Sequence, residues 1–131
     1  VSHHAYQMYV HITWHTWNRV GCIDVAAVAD VRKAAAIAAK QTGVRVLKMA
    51  VLAEHVHVIL SFRPNLRISD FIRSAKSGSA LLANRRVIGQ LKWARGAYVA
   101  TFHRNDLSRH IGYVASQHAR HPDRIPRKGV N

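Results

Sequence analysis

The run His55-Val56-His57-Val58-Ile59-Leu60-Ser61-Phe62, preceded by Val44-Arg45-Val46-Leu47-Lys48-Met49-Ala50-Val51-Leu52, decides the fold. Both stretches are rich in branched apolar residues, and only Ala53-Glu54 separates them, which predicts two adjacent strands joined by a tight turn. In the second stretch Val56, Val58, Leu60 and Phe62 share one face and point to a core. His55 and His57 project from the other face, about 6.5–7 Å apart along the strand. Two buried imidazoles need partners, so whatever covers that face must satisfy them.

Upstream, residues 6–16 alternate. Tyr6, Met8, Val10, Ile12 and Trp14 lie on one side, and Gln7, Tyr9, His11, Thr13 and His15 on the other, the period of a half-buried strand. A loop follows over Asn18–Asp24, with Asp24 placed to cap a helix over Val25–Gln41. Val28, Val31, Ala35, Ala38 and Ala39 form its apolar stripe, and Thr42-Gly43 stops it. Downstream, Pro64-Asn65 breaks the pattern before a second helix, about Arg67–Val87, whose inner face is Ile68, Phe71, Ile72, Ala75 and Leu82. Gly78 is a local weak point in it. A loop over Ile88–Gly96 leads to a short strand, Ala97–Phe102. Asn105 or Asp106 caps a last helix, about Leu107–His118, and the residues beyond read as loop or disorder. The order β-α-β-β-α-β-α predicts an α+β fold: a ferredoxin-like antiparallel sheet backed by two helices, with an added C-terminal helix. That architecture hosts many functions and decides none.

A chain of 131 residues fits a single domain, 1–131, with a core over about 6–120 and a basic tail over 121–131. No apolar run is long enough to span a bilayer, and the first residues lack a signal-peptide pattern. Cys22 is alone, which excludes an internal disulfide and fits a reducing cytoplasm. Twenty Lys and Arg against six Asp and Glu give a formal charge of +14. Such a surplus favours a polyanionic partner. Fourteen of the basic residues fall from Arg63 onward, against three acids. A nucleic acid fits better than an acidic membrane surface.

The chemistry-bearing candidates fall into two groups. His55 and His57 can lean onto one cation, or can be exposed or hydrogen-bonded histidines; spacing alone leaves both open. His3-His4 and His118/His121 are weaker pairs. On the last helix Tyr113 and Gln117 stand at i and i+4, on one face with Arg109 and His110. Leu107, Ile111 and Val114 occupy a different face and are expected against the sheet. Tyr113 therefore reads either as a reactive phenol or as a boundary tyrosine with a structural role. Tyr6, Tyr9 and Tyr98 are explained by packing. Arg73 and Lys76 on the second helix read as phosphate contacts or as a solvated basic face. Trp14, Trp17 and Trp93 are core residues or stacking platforms. His11, on the polar face of the first strand, either lies near the histidine pair or only packs, and stays unassigned.

The combination of His55-Val56-His57 on a strand with Tyr113-Val114-Ala115-Ser116-Gln117 on a terminal helix resembles the single-tyrosine HUH transposases. These are small transposases of bacterial insertion sequences and their repeat-associated relatives. Trp14-His15-Thr16-Trp17-Asn18-Arg19, Lys76-Ser77-Gly78-Ser79 and Trp93-Ala94-Arg95-Gly96-Ala97-Tyr98 look like the same family, and the likeness covers roughly residues 6 to 120.

The resemblance implies that His55, His57 and Gln117 bind one divalent ion, Mg²⁺ or Mn²⁺, and that Tyr113 attacks single-stranded DNA to give a 5′-phosphotyrosine. It also implies hairpin-bearing element ends as substrate and a homodimer as the working unit. Arg73, Lys76 and Arg109 are candidate DNA contacts by their charge and placement. The rival expectation is a ferredoxin-like nucleic-acid-binding module without chemistry, which explains charge and fold but leaves His55, His57, Tyr113 and Gln117 unrelated.

Overall fold

A computed structural model describes residues 7–128; Tyr6, His3 and His4 lie outside them. Four strands form one antiparallel sheet: β1 (Met8–His15), β2 (Arg45–Val51), β3 (His55–Phe62) and β4 (Tyr98–Phe102), in spatial order β2-β3-β1-β4. Two long helices, α1 (Val25–Thr42) and α2 (Ile68–Arg86), cross over between strands. The expected ferredoxin-like order and sheet are the observed ones.

Local chemistry sets the helix ends. Asp24 caps α1 by accepting from the Ala27 amide at 2.8 Å. Gly43 ends the helix at φ +81°, a left-handed conformation that disfavours any side chain. Gly78 does not interrupt α2. A Cβ there would stand 3.3 Å from the Ala34 Cβ, so the glycine lets α1 and α2 approach closely. The inner stripe of α2 differs from the expected one at its C-terminal half. Phe71, Ala75, Ser79 and Ala83 are buried, whereas Leu82 is only half-buried. A strict i+4 step keeps that narrow stripe inward, and Ser79 is satisfied there: it donates to the Ala75 carbonyl at 2.7 Å and accepts from Trp93 Nε1 at 3.0 Å.

The sheet buries both faces. Val10, Ile12, Trp14, Val56, Val58 and Leu60 meet α1 and α2 in the main core. The opposite face carries a smaller cluster, Ala50, Leu52, Ile59 and Val114, with Leu47, Phe102, Leu107 and Ile111 packed around it. The lid of that second cluster is α3 (Leu107–Ala115).

Here the structure corrects the expected last helix. It ends at Ala115, Ser116 breaks it at φ −92° and ψ 4°, and a separate turn α4 (Gln117–Arg120) follows. The Asp106 side chain makes no capping bond and faces Arg109 at 3.5 Å instead. The tail also differs from the expected loop or disorder. The Ala53 amide donates to the Arg124 carbonyl at 2.7 Å, and the Val25 amide to that of Arg127 at 2.9 Å. Backbone bonds thus fasten the tail to the β2–β3 turn and to the start of α1, contacts no local pattern encodes.

Candidate functional site

β3 alternates as its sequence requires, so His55 and His57 stand on the face away from α1 and α2, one position apart on the pleat. Both are buried, at 6% and 7% exposure, and their rings lie 4.9 Å apart in an edge-to-face arrangement. Burial holds both neutral. His55 is pushed down to about 4, a shift that nearby Glu54 opposes, and His57 to about 3, with the neighbouring His55 adding to the effect. A neutral imidazole keeps a lone pair available for a cation.

α3 lies across the same face. Val114 anchors it in the second cluster, and one step before Val114 the Tyr113 ring stands 5.8 Å from that of His57 and 5.9 Å from that of His11. Tyr113 is 40% exposed, so a polymer can reach its hydroxyl from outside. The Arg120 guanidinium covers the phenol ring at 5.0 Å, and Arg120 Nε donates to Ser116 Oγ at 2.7 Å.

The break at Ser116 turns Gln117 inward. Gln117 is completely buried, and its Nε2 donates to the Tyr113 carbonyl at 3.2 Å. Its Oε1 makes no hydrogen bond within 3.5 Å, although the Gln117 side chain stands close enough to the His57 ring to favour a proton there; His55 Nδ1 is likewise unmatched, with the Glu54 carboxylate 3.7 Å away. Unpaired buried polar atoms are costly and uncommon. Among the described residues no three His, Cys, Asp or Glu side chains form a cation cage. His55, His57 and the amide oxygen of Gln117 are a set such a cage would not include, and they have the donor chemistry of a cation site with open positions.

The remaining sequence candidates are dispersed. Arg109 is exposed one turn before Tyr113 on α3 and pairs with Asp106. Arg73 and Lys76 stand on α2, on the other side of the sheet. Arg73 pairs with Asp70 at 3.0 Å, while the Lys76 ammonium bonds the carbonyls of Ala94 and Gly96, each at 2.8 Å. Burial lowers the Lys76 pKa. Both line a groove of about 480 Å³ between α2 and the start of β4.

Thr13, Glu54 and His121 near the site escaped the sequence, and of the two readings open for His11 the structure selects proximity to the histidine pair. Thr13 pairs directly with His57 across the sheet, and His11 is its diagonal neighbour. Glu54 is held beside His55 by Arg124 at 3.2 Å, and the His121 ring lies 6.2 Å from that of His55. Alternation put His11 and Thr13 on the correct face, but only the strand register brings them to His57.

Comparison with known proteins identifies the family. Residues 4–117 match the family described as "Transposase IS200 like". The chain is 28% identical over 123 residues to the ISDra2 transposase TnpA of Deinococcus radiodurans, covering 88% of this chain and 87% of that protein. Its fold matches a REP-associated tyrosine transposase solved bound to a REP hairpin, with a TM-score of 0.72 at 15% identity over 87% of this chain and 68% of the other. At that identity the structural likeness speaks for the fold.

Proposed function

This chain belongs to the IS200-like transposase family, a family of DNA-processing enzymes, and from that premise we propose that it cleaves and rejoins single-stranded DNA with Tyr113 as nucleophile. The observation that carries the proposal is the convergence on one sheet face of His55, His57, the donorless Gln117 Oε1 and an exposed Tyr113.

In the cleavage step Tyr113 Oη forms a bond to the scissile phosphorus and the bond from phosphorus to the 3′ oxygen breaks. The phenolic proton leaves to solvent, and the departing oxygen takes one up as a free 3′-hydroxyl. The product is a 5′-phosphotyrosine that keeps the phosphodiester energy, so a 3′-hydroxyl from another strand can reverse the step without ATP. His55, His57 and Gln117 would hold the divalent ion, Mg²⁺ or Mn²⁺, which when bound would supply Lewis-acid stabilisation of charge on the phosphate. The three donors are neutral, so an anionic ligand of the kind such ions favour would have to come from the DNA phosphate.

Orientation is the protein's main contribution. Val114 fixes α3 on the sheet, the Gln117 bond ties the metal ligand to the nucleophile's own carbonyl, and Arg120 restrains the phenol ring. Arg109 reaches the phosphate track beside Tyr113, and Arg73 and Lys76 serve a separate stretch of strand along their groove. The substrate is hairpin-bearing element ends, as suits a fold shared with a hairpin-bound relative. The chain works as one domain over 1–131. One such nucleophile per chain makes a homodimer the unit for a complete excision. No helix among the described residues is long and apolar enough to cross a membrane, and the reaction takes place with the DNA in the cytoplasm.

The test is incubation with labelled, hairpin-bearing single strands from the flanks of the gene, with Mg²⁺ or Mn²⁺. A covalent protein–DNA adduct is expected, absent in Tyr113→Phe and absent on metal removal. An undiminished adduct in Tyr113→Phe would overturn the assignment of the nucleophile, and strand binding with no cleavage under any condition would favour a binding module.

A further inference from the structure

The Arg120 guanidinium lies 5.0 Å from the centre of the Tyr113 ring, and its Nε donates to Ser116 Oγ at 2.7 Å. Ser116 Oγ in turn donates to the Tyr113 carbonyl at 2.9 Å, and the Arg120 amide donates to the Ser116 carbonyl at 2.9 Å. The serine hydroxyl uses its proton on one bond and a lone pair on the other. Arg120 is thus tied by backbone and side chain to the bend at Ser116, which is itself tied to the nucleophile's own peptide.

That arrangement leaves half of the guanidinium free. Among the described residues no carboxylate pairs with Arg120, and its two terminal amino groups meet no acceptor. The cations expected from the sequence to touch DNA are already engaged: Arg109 with Asp106 at 3.5 Å, Arg73 with Asp70 at 3.0 Å, and Lys76 with two carbonyls at 2.8 Å. Stacking on an aromatic ring uses the face of a guanidinium and spares its N–H edge. That edge presents donors in the fork geometry that matches two phosphate oxygens. Arg120 and Tyr113 are both exposed, so a strand can reach them together. A phosphorus bonded to Tyr113 Oη carries its non-bridging oxygens at the rim of the ring, beside the face that the guanidinium covers. Arg120 approaches that phosphorus from α4, whereas His55 and His57 approach it from the sheet.

We propose that Arg120 is a further catalytic residue. Its free amino groups take the non-bridging oxygens of the scissile phosphate. They stabilise the negative charge that grows there as the bond from Tyr113 Oη to phosphorus forms and the bond to the 3′ oxygen breaks. Arg120 moves no proton, because a guanidinium stays protonated throughout. It serves the joining step equally, since the same phosphorus is attacked. A donor fixed in place toward developing charge accounts for roughly 10²–10³-fold in rate. This role rests on the proposed nucleophile.

The experiment measures single-turnover adduct formation on hairpin-bearing strands with either a normal scissile phosphate or a methylphosphonate, in which a neutral methyl group replaces one charged oxygen. On the phosphate, Arg120→Gln should slow the reaction by about 10²–10³-fold with strand affinity little changed. Arg120→Lys restores the charge without the fork and should recover part of the rate. The wild type should prefer the phosphate, whereas Arg120→Gln should gain rate on one methylphosphonate diastereomer, where less charge needs a partner. Thermal melts check that the variants are folded. A phosphate rate unmoved in folded Arg120→Gln would overturn the role. So would a loss of rate with no gain on either diastereomer, which would leave Arg120 a support for the phenol ring alone. Tyr113→Phe on the same strands separates the two readings: an adduct undiminished there, or none in the wild type, would sink the nucleophile and the role of Arg120 with it.

Discussion

Gln117 donates its amide to the carbonyl of Tyr113 at 3.2 Å, and the same placement leaves Gln117 Oε1 buried with no donor. One side chain therefore links the nucleophile's backbone to a poorly satisfied acceptor that faces the neutral His57 imidazole. A residue kept only for packing would not carry that penalty.

Gln117→Leu separates the two roles. Leu has similar bulk and no polar atom to strand, and an unsatisfied buried group costs about 1–3 kcal/mol. The metal-free variant should melt at or above the wild-type temperature, whereas the rise in melting temperature caused by Mn²⁺ in the wild type should vanish. A variant still stabilised by Mn²⁺ as strongly as the wild type would remove Gln117 from the ligand set.

Acid should destabilise the fold through His55 and His57. Their folded pKa values, about 4 and about 3, lie below the unfolded value of about 6.5. Between those limits the unfolded chain binds more protons, so stability is full above about 6.5 and declines as pH falls toward the folded values. Melting temperature against pH should show that decline, and a His55→Asn/His57→Asn double variant should flatten it. A slope preserved in the double variant would place the acid sensitivity elsewhere.

Val114→Ala tests whether docking of α3 positions the nucleophile. Val114 is 1% exposed and closes the second cluster with Ile59 and Leu52. Loss of two buried methyl groups and the space they leave should cost about 1–3 kcal/mol. Adduct yield should fall more than the population of folded protein, measured by strand cleavage and circular dichroism on the same sample. Equal losses would mean that α3 is not separately mobile.

Gly43→Ala provides the opposite control. The residue sits at φ +81°, and a Cβ would meet only ordinary contacts with Leu66 at 3.6 Å, so backbone strain is the whole effect. Urea denaturation should show about 1–2 kcal/mol of lost stability, with adduct formation unchanged under conditions where the variant is folded.

Much of the fold follows from local patterns that stay valid in context. Asp24 caps, Gly43 stops, and alternation along β3 sends Val56 inward and His57 outward whatever surrounds them, because side-chain direction in a strand has period two. The α2 stripe was less legible. Leu82 and Ala83 are neighbours on the helix, and the close approach of α1 at Gly78 favours the smaller residue inside.

The site divides the same way. By itself the sequence determined a ferredoxin-like sheet, a histidine pair on one face, and Tyr113 with Gln117 four residues on. Tertiary structure alone decided that α3 covers that face, that Ser116 bends the chain to bury Gln117, that the tail fastens Arg124 beside Glu54, and that His11 meets His57. The reason is physical. Periodicity fixes where a side chain points relative to its own backbone, but the distance between residues far apart in the chain depends on sheet register and on which buried surface a helix finds to cover.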